Sequence, residues 1–157
     1  MNFDEKFRES LVKLYKNIWR EPPWNEYFWT DKMVNEDVDY AIKQKDFISK
    51  LAVNKNNVKG FIWGYSLPQE KFQFLNLGEA TYIDELAVER EFRKMGIGTR
   101  LIEMLINDAR KLGYETITLR TDINGSAYKF YLDLGFQDMK IRDPKYSQRT
   151  YMIKTIK

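Results

Sequence analysis

Hydrophobic positions change period several times along this chain, and each change marks an element. Phe7, Leu11, Leu14, Tyr15 and Ile18 recur at helical spacing and share one face of a first helix. The run PPWNEYFW, 22–29, breaks that pattern with two prolines and a group of aromatics. A second helix follows the cap-like Thr30 or Asp31, with Val34, Val38, Ala41 and Ile42 on its apolar side. FISKLAV, 47–53, and VKGFIWGYSL, 58–67, joined by NKNN, read as a β-hairpin looser than an Asn-Gly turn would make. ATYIDELAV, 80–88, predicts a central strand. Ile97, Leu101, Leu105, Ala109 and Leu112 return to the helical period, so a helix begins at or just before Gly98. YETITLRT, 114–121, is another strand. NGSAYKFYLDL, 124–134, is a short helix that Gly135 stops with a left-handed cap, and two strands complete the chain. The pattern predicts one α/β domain over 1–157 with a mixed sheet and no linker or repeat.

Composition narrows the chemistry. The 157 residues are 43% hydrophobic and carry a net charge of +3, too mild and too dispersed for a nucleic-acid groove but suited to a small anionic ligand. No apolar run approaches the ~18 residues of a membrane span, and MNFDEKFRES is too charged for a signal peptide, so no membrane contact and a cytoplasmic location are expected. The chain has no histidine and no cysteine. That removes disulfides, the usual zinc sites, thiolate nucleophiles and histidine-based triads, and no metal is expected. Acid–base work falls to carboxylates, tyrosine, lysine, backbone or water.

The stretch EFRKMGIGTRL, 91–101, joins a strand to a helix through two glycines. Free N–H groups and the positive end of the helix dipole make such a turn an anion site. It is not a P-loop, because the spacing and the lysine are wrong. It is not the dinucleotide fingerprint either, because Leu101 stands at the third glycine position.

The pattern R-x-x-G-x-G at Arg93, Gly96 and Gly98, preceded by IDELAV, resembles the acetyl-CoA loop of GNAT-type N-acetyltransferases. Further on, Asn124 and then A-x-x-F-Y-x-x-x-G-F at Ala127, Phe130, Tyr131, Gly135 and Phe136 is similar to that family's closing motif. The likeness is nearest to small-molecule amine acetyltransferases of the aminoglycoside type, which carry a similar I-D-x-L run. It implies a splayed mixed sheet flanked by helices, with acetyl-CoA as co-substrate and a primary amine of a small molecule as acceptor. It is also compatible with a homodimer. The family usually opens with a strand, and none is visible here before the first helix.

On this resemblance the N–H groups from Lys94 through Met95, Gly96, Ile97 and Gly98 to Thr99 would converge on the pyrophosphate, with Arg93 and Lys94 adding charge. A side chain at either glycine would fill the phosphates' space. The backbone of Leu86, Ala87 and Val88 would pair with the pantetheine arm as an added strand. Asn124 would cap the following helix or bond the cofactor, capping being the commoner use. Tyr131 would give its proton to the leaving thiolate, and a high-pH limb of activity would report its ionisation.

Asp84 and Glu85 are the candidates for deprotonating the acceptor amine. As strand neighbours they are expected on opposite faces of the sheet, and the I-D-x-L likeness favours Asp84 at the amine. Trp24, Glu26, Trp29 and Trp63 are candidates to line a cationic acceptor pocket. A polyamine, an aminoglycoside, an amino acid or a protein N-terminus all suit such a pocket. Two other classes remain: a protein N-terminal or lysine acetyltransferase, and a non-catalytic acetyl-CoA-binding module. A nucleotide-binding protein using the loop for another pyrophosphate is a further alternative.

Overall fold

The computed structural model describes residues 2–157. A short 3-10 turn leads into helix α1, Arg8–Arg20. Helix α2, Asp31–Ile42, begins where the Thr30 hydroxyl accepts from the Met33 N–H at 3.2 Å. Strands β1, Ile48–Asn54, and β2, Asn57–Ser66, form the hairpin. Its turn is tighter than the sequence suggested. Asn54 pairs with Asn57, and the linking Lys55 and Asn56 take φ of 50° and 64°. Two positive φ values are what a two-residue type I′ connection requires, and asparagine tolerates that region better than most residues.

Strand β3, Thr81–Val88, is followed by helix α3, Ile97–Lys111, strand β4, Thr116–Asp122, helix α4, Ser126–Asp133, and strands β5, Gln137–Arg142, and β6, Arg149–Thr155. Gly135, at φ 91°, ends α4 as expected. The six strands form one sheet in the order β1-β2-β3-β4-β6-β5. Every pair is antiparallel except β3 and β4, which α3 connects. Leu11, Val34, Val38, Phe61 and Trp63 belong to a core that holds α1 and α2 on one face. Ile62, Ile83, Leu101, Leu105 and Leu119 belong to a second core under α3 and α4 on the other. This is the mixed, helix-flanked sheet the sequence predicted. Among the described residues no strand precedes α1, which leaves β1 at an edge.

Strand β3 departs from regular pairing in two places. It pairs with β4 only over Thr81–Ile83 against Ile117–Leu119, so residues 84–88 have β2 as their sole strand neighbour. The sheet is therefore splayed. Moreover, Trp63 lies opposite Glu85 while Gly64 lies opposite Ile83, which leaves Asp84 as the extra residue of a β-bulge. A Cβ on Gly64 would stand 2.6 Å from the Tyr82 carbonyl oxygen, so the backbones approach more closely than any side chain permits.

The bulge corrects the expected sidedness. Tyr82 faces the α1/α2 layer and Ile83 the α3/α4 layer, but Asp84 and Glu85 both meet side chains of the α1/α2 layer. Strict alternation would have separated the two carboxylates. The extra residue brings them together.

Candidate active site

Asp84 and Glu85 sit where β3 parts from β4. The Trp63 indole N–H donates to Asp84 Oδ2 at 3.1 Å, and the Tyr65 hydroxyl is a second hydrogen-bonding partner. Trp63 is buried, with its ring stacked on Phe61 at 4.8 Å and on Tyr15 at 6.1 Å. The Tyr15 hydroxyl in turn lies 2.8 Å from Asp37 Oδ2 and 3.3 Å from Glu85 Oε1. Three carboxylates from two elements thus converge on one aromatic cluster.

Their environments differ. Burial pushes the Glu85 carboxyl well above its ordinary range, and the charges of Asp84 and Asp37 push it further; Tyr15 and the Arg120 charge pull it back only in part. Burial also raises Asp84, but there the Trp63 and Tyr65 hydrogen bonds favour the anion. Two neighbouring carboxyls held in different environments are the arrangement acid–base enzymes use to divide labour.

A pocket of about 80 Å³ opens beside Glu85, lined by Tyr15, Trp19, Trp24, Leu86 and Ala87 among others. Trp24 is 37% exposed and sets its edge against Trp19 at 5.4 Å. Trp29 packs on Tyr15 and Trp19 and donates its indole N–H to Glu26 Oε1 at 2.9 Å. Of the four residues expected at the acceptor, Trp24 lines this pocket. Trp63 stands behind Tyr15 and Phe61, on which its ring stacks, and Glu26 and Trp29 bond one another rather than lining the pocket. A larger open groove of about 630 Å³, lined by Phe3, Ile42, Phe47, Ser49 and Leu112 among others, shares no residue with β3 or the glycine turn.

On the other side of β3 the chain turns through Lys94, φ 64°, and Gly96, φ 81°. The first helical bond of α3 runs from Arg100 N–H to the Gly96 carbonyl at 3.0 Å, so Ile97, Gly98 and Thr99 have no partner within the helix for their N–H groups. A Cβ on Gly96 would meet nothing within 4 Å, which makes this an open cradle. Gly98 differs. A Cβ there would press on the Phe130 ring at 3.3 Å, so its smallness also serves the packing of α3 on α4.

Arg93 donates to the Val88 carbonyl at 2.8 Å and to Glu21 Oε2 at 2.5 Å. Its guanidinium ties the turn to the end of β3 and to the residue after α1. Lys94 and Met95 are exposed. Asn124 is exposed and does not cap α4: Gly125 holds the N-cap position without a side-chain bond, while Asp122 accepts the Asn124 N–H at 2.8 Å. Tyr131 is buried, with its ring edge-on to Phe136 at 5.6 Å. Burial, and then the Glu85 charge, push its phenol above the ordinary value. The high-pH limb expected from its ionisation is therefore shifted to higher pH.

Sequence reasoning missed Tyr15 and Asp37. Tyr15 read as one more apolar position of α1, and Asp37 lies beside Val38 on a helix with many acids. The available signal was a hydroxyl-bearing ring on an otherwise hydrocarbon face.

The chain belongs to the Acetyltransferase (GNAT) family, whose profile matches residues 8–136. An aminoglycoside 6'-acetyltransferase type Ii superimposes with a TM-score of 0.77 at 26% identity, covering 100% of this chain and 96% of that one. An aminoglycoside 6'-N-acetyltransferase crystallised with coenzyme A has the same fold, at a TM-score of 0.74 and 23% identity over 100% and 96% of the two chains. In sequence, the [ribosomal protein bS18]-alanine N-acetyltransferase of Escherichia coli K12 is 36% identical over 67 residues, 42% of this chain and 45% of that protein. The chloroplastic GCN5-related N-acetyltransferase 4 of Arabidopsis thaliana is 32% identical over 100 residues, 60% of this chain and 34% of that protein. The match spans less than half the length of these curated relatives. No helix among the described residues is long and apolar enough to cross a membrane.

Proposed function

We propose that this chain transfers the acetyl group of acetyl-CoA to a primary amine of a small molecule, by direct attack in a ternary complex. The observation that carries this reading is the bulge at Asp84. It places two carboxylates of different character at the point where β3 leaves β4, between an anion cradle and an aromatic pocket.

The residues present fit acetyl-CoA. The N–H groups of the 94–99 turn and the α3 dipole suit the pyrophosphate, Gly96 leaves room for it, and Lys94 adds charge. Arg93 holds the turn in place. The unpaired side of Leu86, Ala87 and Val88 suits an extended amide-bearing arm, and Asn124 is exposed nearby in sequence to Tyr131. When bound, acetyl-CoA supplies an activated acyl group. Asp84, whose anion its two hydrogen-bonding partners favour against burial, orients the acceptor ammonium, while Glu85, raised further, takes its proton, since a raised carboxyl is the better base near neutrality. Tyr131 holds a proton at its phenol oxygen for the departing sulfur. Trp24 shapes the acceptor pocket from one wall.

The 26% identity to an aminoglycoside acetyltransferase over the whole chain supports a small-molecule acceptor. Two experiments test the reading. Acetyl-CoA should raise the melting temperature where ATP and NAD do not. Thiol release should then follow addition of one of three amines: an aminoglycoside, a polyamine or an alanyl peptide. Binding without turnover would support a non-catalytic module, and turnover with the peptide alone would move the acceptor to protein N-termini.

A further inference from the structure

We propose that Tyr15 and Asp37 continue the acid–base machinery behind Glu85: the Tyr15 phenol relays the proton that Glu85 takes from the acceptor amine to Asp37, and Asp37 releases it to solvent. This rests on Glu85 being the base of the proposed transfer.

The geometry supplies the chain of atoms. Tyr15 Oη lies 3.3 Å from Glu85 Oε1 and 2.8 Å from Asp37 Oδ2, so one phenol oxygen touches both carboxylates. A phenol has one proton: it can serve the ionised Glu85, and once Glu85 is protonated it turns to the nearer Asp37, which leaves the oxygen's lone pairs toward Glu85. Stacking on Phe61 and Trp63, within 10° of parallel in each case, fixes the ring in that orientation. At the far end, Asp37 is only half-buried on α2 and so can exchange with water, whereas Tyr15 is buried.

The protons balance. The ammonium N–H bond breaks as an O–H bond forms on Glu85. Then the Glu85 proton passes to Tyr15 Oη as the Tyr15 proton passes to Asp37 Oδ2. Finally Asp37 loses its proton to water, and no electrons change hands. The two middle transfers must be concerted. Burial, with the charges of Glu85 and Asp37, drives the phenol far above its ordinary value, so free tyrosinate is not an available intermediate.

The groups facing Glu85 set opposite signs for two substitutions. They are Asp84 and Tyr82 on its own strand β3, Tyr15 on α1, Asp37 on α2, Arg120 on β4 and Tyr131 on α4; Glu36 and Lys71 act on Asp37, and Trp63, Tyr65 and Lys71 act on Asp84. The Tyr15 hydrogen bond lowers the Glu85 carboxyl and the Asp37 charge raises it. Tyr15→Phe keeps the stacked ring and removes the relay atom, and should move the Glu85 titration up. Asp37→Asn keeps a hydrogen-bond acceptor without a proton acceptor, and should move that titration down.

The experiment has two arms. In the first, carboxyl ¹³C NMR of the protein alone follows the Glu85 titration, assigned by its loss in Glu85→Gln. In the second, thiol release from acetyl-CoA is measured with an aminoglycoside, a polyamine and an alanyl peptide for Tyr15→Phe, Asp37→Asn and the double variant. The relay predicts opposite titration shifts and turnover lower by roughly 10²-fold in each single variant, the low end for acid–base groups. It also predicts no further fall in the double variant, because both changes cut one path. Wild-type turnover in Tyr15→Phe, additive losses, or a raised acceptor KM at unchanged turnover would each overturn the relay. Wild-type turnover in Glu85→Gln would instead remove Glu85 as the base, a separate failure.

Discussion

Trp63 Nε1 lies 3.1 Å from Asp84 Oδ2, across a bulge that pairs Trp63 not with Asp84 but with Glu85. One tryptophan thus faces one carboxylate in the strand register and bonds its neighbour. The bond favours the Asp84 anion in a setting where burial opposes it.

Trp63→Phe should therefore destabilise the fold in a pH-dependent way. The bond lowers the Asp84 carboxyl relative to its value without the donor. Its contribution is present when Asp84 is ionised and lost as pH falls and Asp84 protonates. Above that titration an unfilled buried acceptor costs about 1–3 kcal/mol beyond the smaller ring's packing loss. Denaturant unfolding at acid and at mildly alkaline pH measures the difference. Equal losses at both would mean that Trp63 acts through packing alone.

Glu85 should show the opposite sign. Its folded carboxyl is raised, so its cost to stability is absent at low pH, where it is protonated folded and unfolded, grows as pH rises above the ordinary glutamate titration of the unfolded chain, and is complete once pH has passed the folded titration. Glu85→Gln removes the ionisation. The variant should melt close to wild type at about pH 4, near the ordinary glutamate value, and above wild type at about pH 8. A variant that melts below wild type at alkaline pH would show that the ionised Glu85 is stabilising.

At the turn, Gly96 and Gly98 should behave differently. Asparagine accepts φ 81° with little strain, and Gly96 faces open space, so Gly96→Asn should fold normally yet bind acetyl-CoA weakly. Gly98→Val must push on Phe130 and should lose melting temperature as well as affinity. Calorimetric titration beside thermal melting separates the two effects. A folded Gly96→Asn with wild-type affinity would remove the turn from the cofactor site.

Which of these features were legible in the sequence depends on how far away each residue's partners lie. Ile97 to Leu112 announced α3 because a helix repeats within its own span, and Gly96 and Gly98 announced the turn because tight backbone needs glycine locally. The paired carboxylates were invisible, since IDEL reads as an alternating strand. The bulge depends on Gly64 approaching Tyr82, eighteen positions away in the chain. Arg93 shows the same limit: its pattern named a phosphate ligand, but its bond to Glu21 spans a sequence separation of 72. The turn at Lys55 and Asn56 was misjudged for a different reason, because left-handed backbone without glycine leaves little trace in composition.

Glu21 offers a test of that bond. If Arg93 ties the turn to α1 rather than meeting phosphate itself, Glu21→Ala should weaken acetyl-CoA binding much as Arg93→Ala does. A simple charge argument says the reverse, since losing an acid near an anion site should strengthen binding. Binding titrations of both variants at two salt concentrations decide it, and tighter binding in Glu21→Ala would contradict the tie.

The most direct measurement is the pH dependence of thiol release from acetyl-CoA, with the best amine of the acceptor panel, for wild type, Glu85→Gln and Asp84→Asn. With Glu85 as base, wild type should show an acid limb from a raised carboxyl. Glu85→Gln should lose that limb and roughly 10²-fold or more in turnover near neutrality, recovering in part at high pH where the amine deprotonates itself. Asp84→Asn should chiefly raise the acceptor KM. A Glu85→Gln protein with wild-type turnover and an unchanged acid limb would contradict the account, and that signature in Asp84→Asn instead would exchange the two roles.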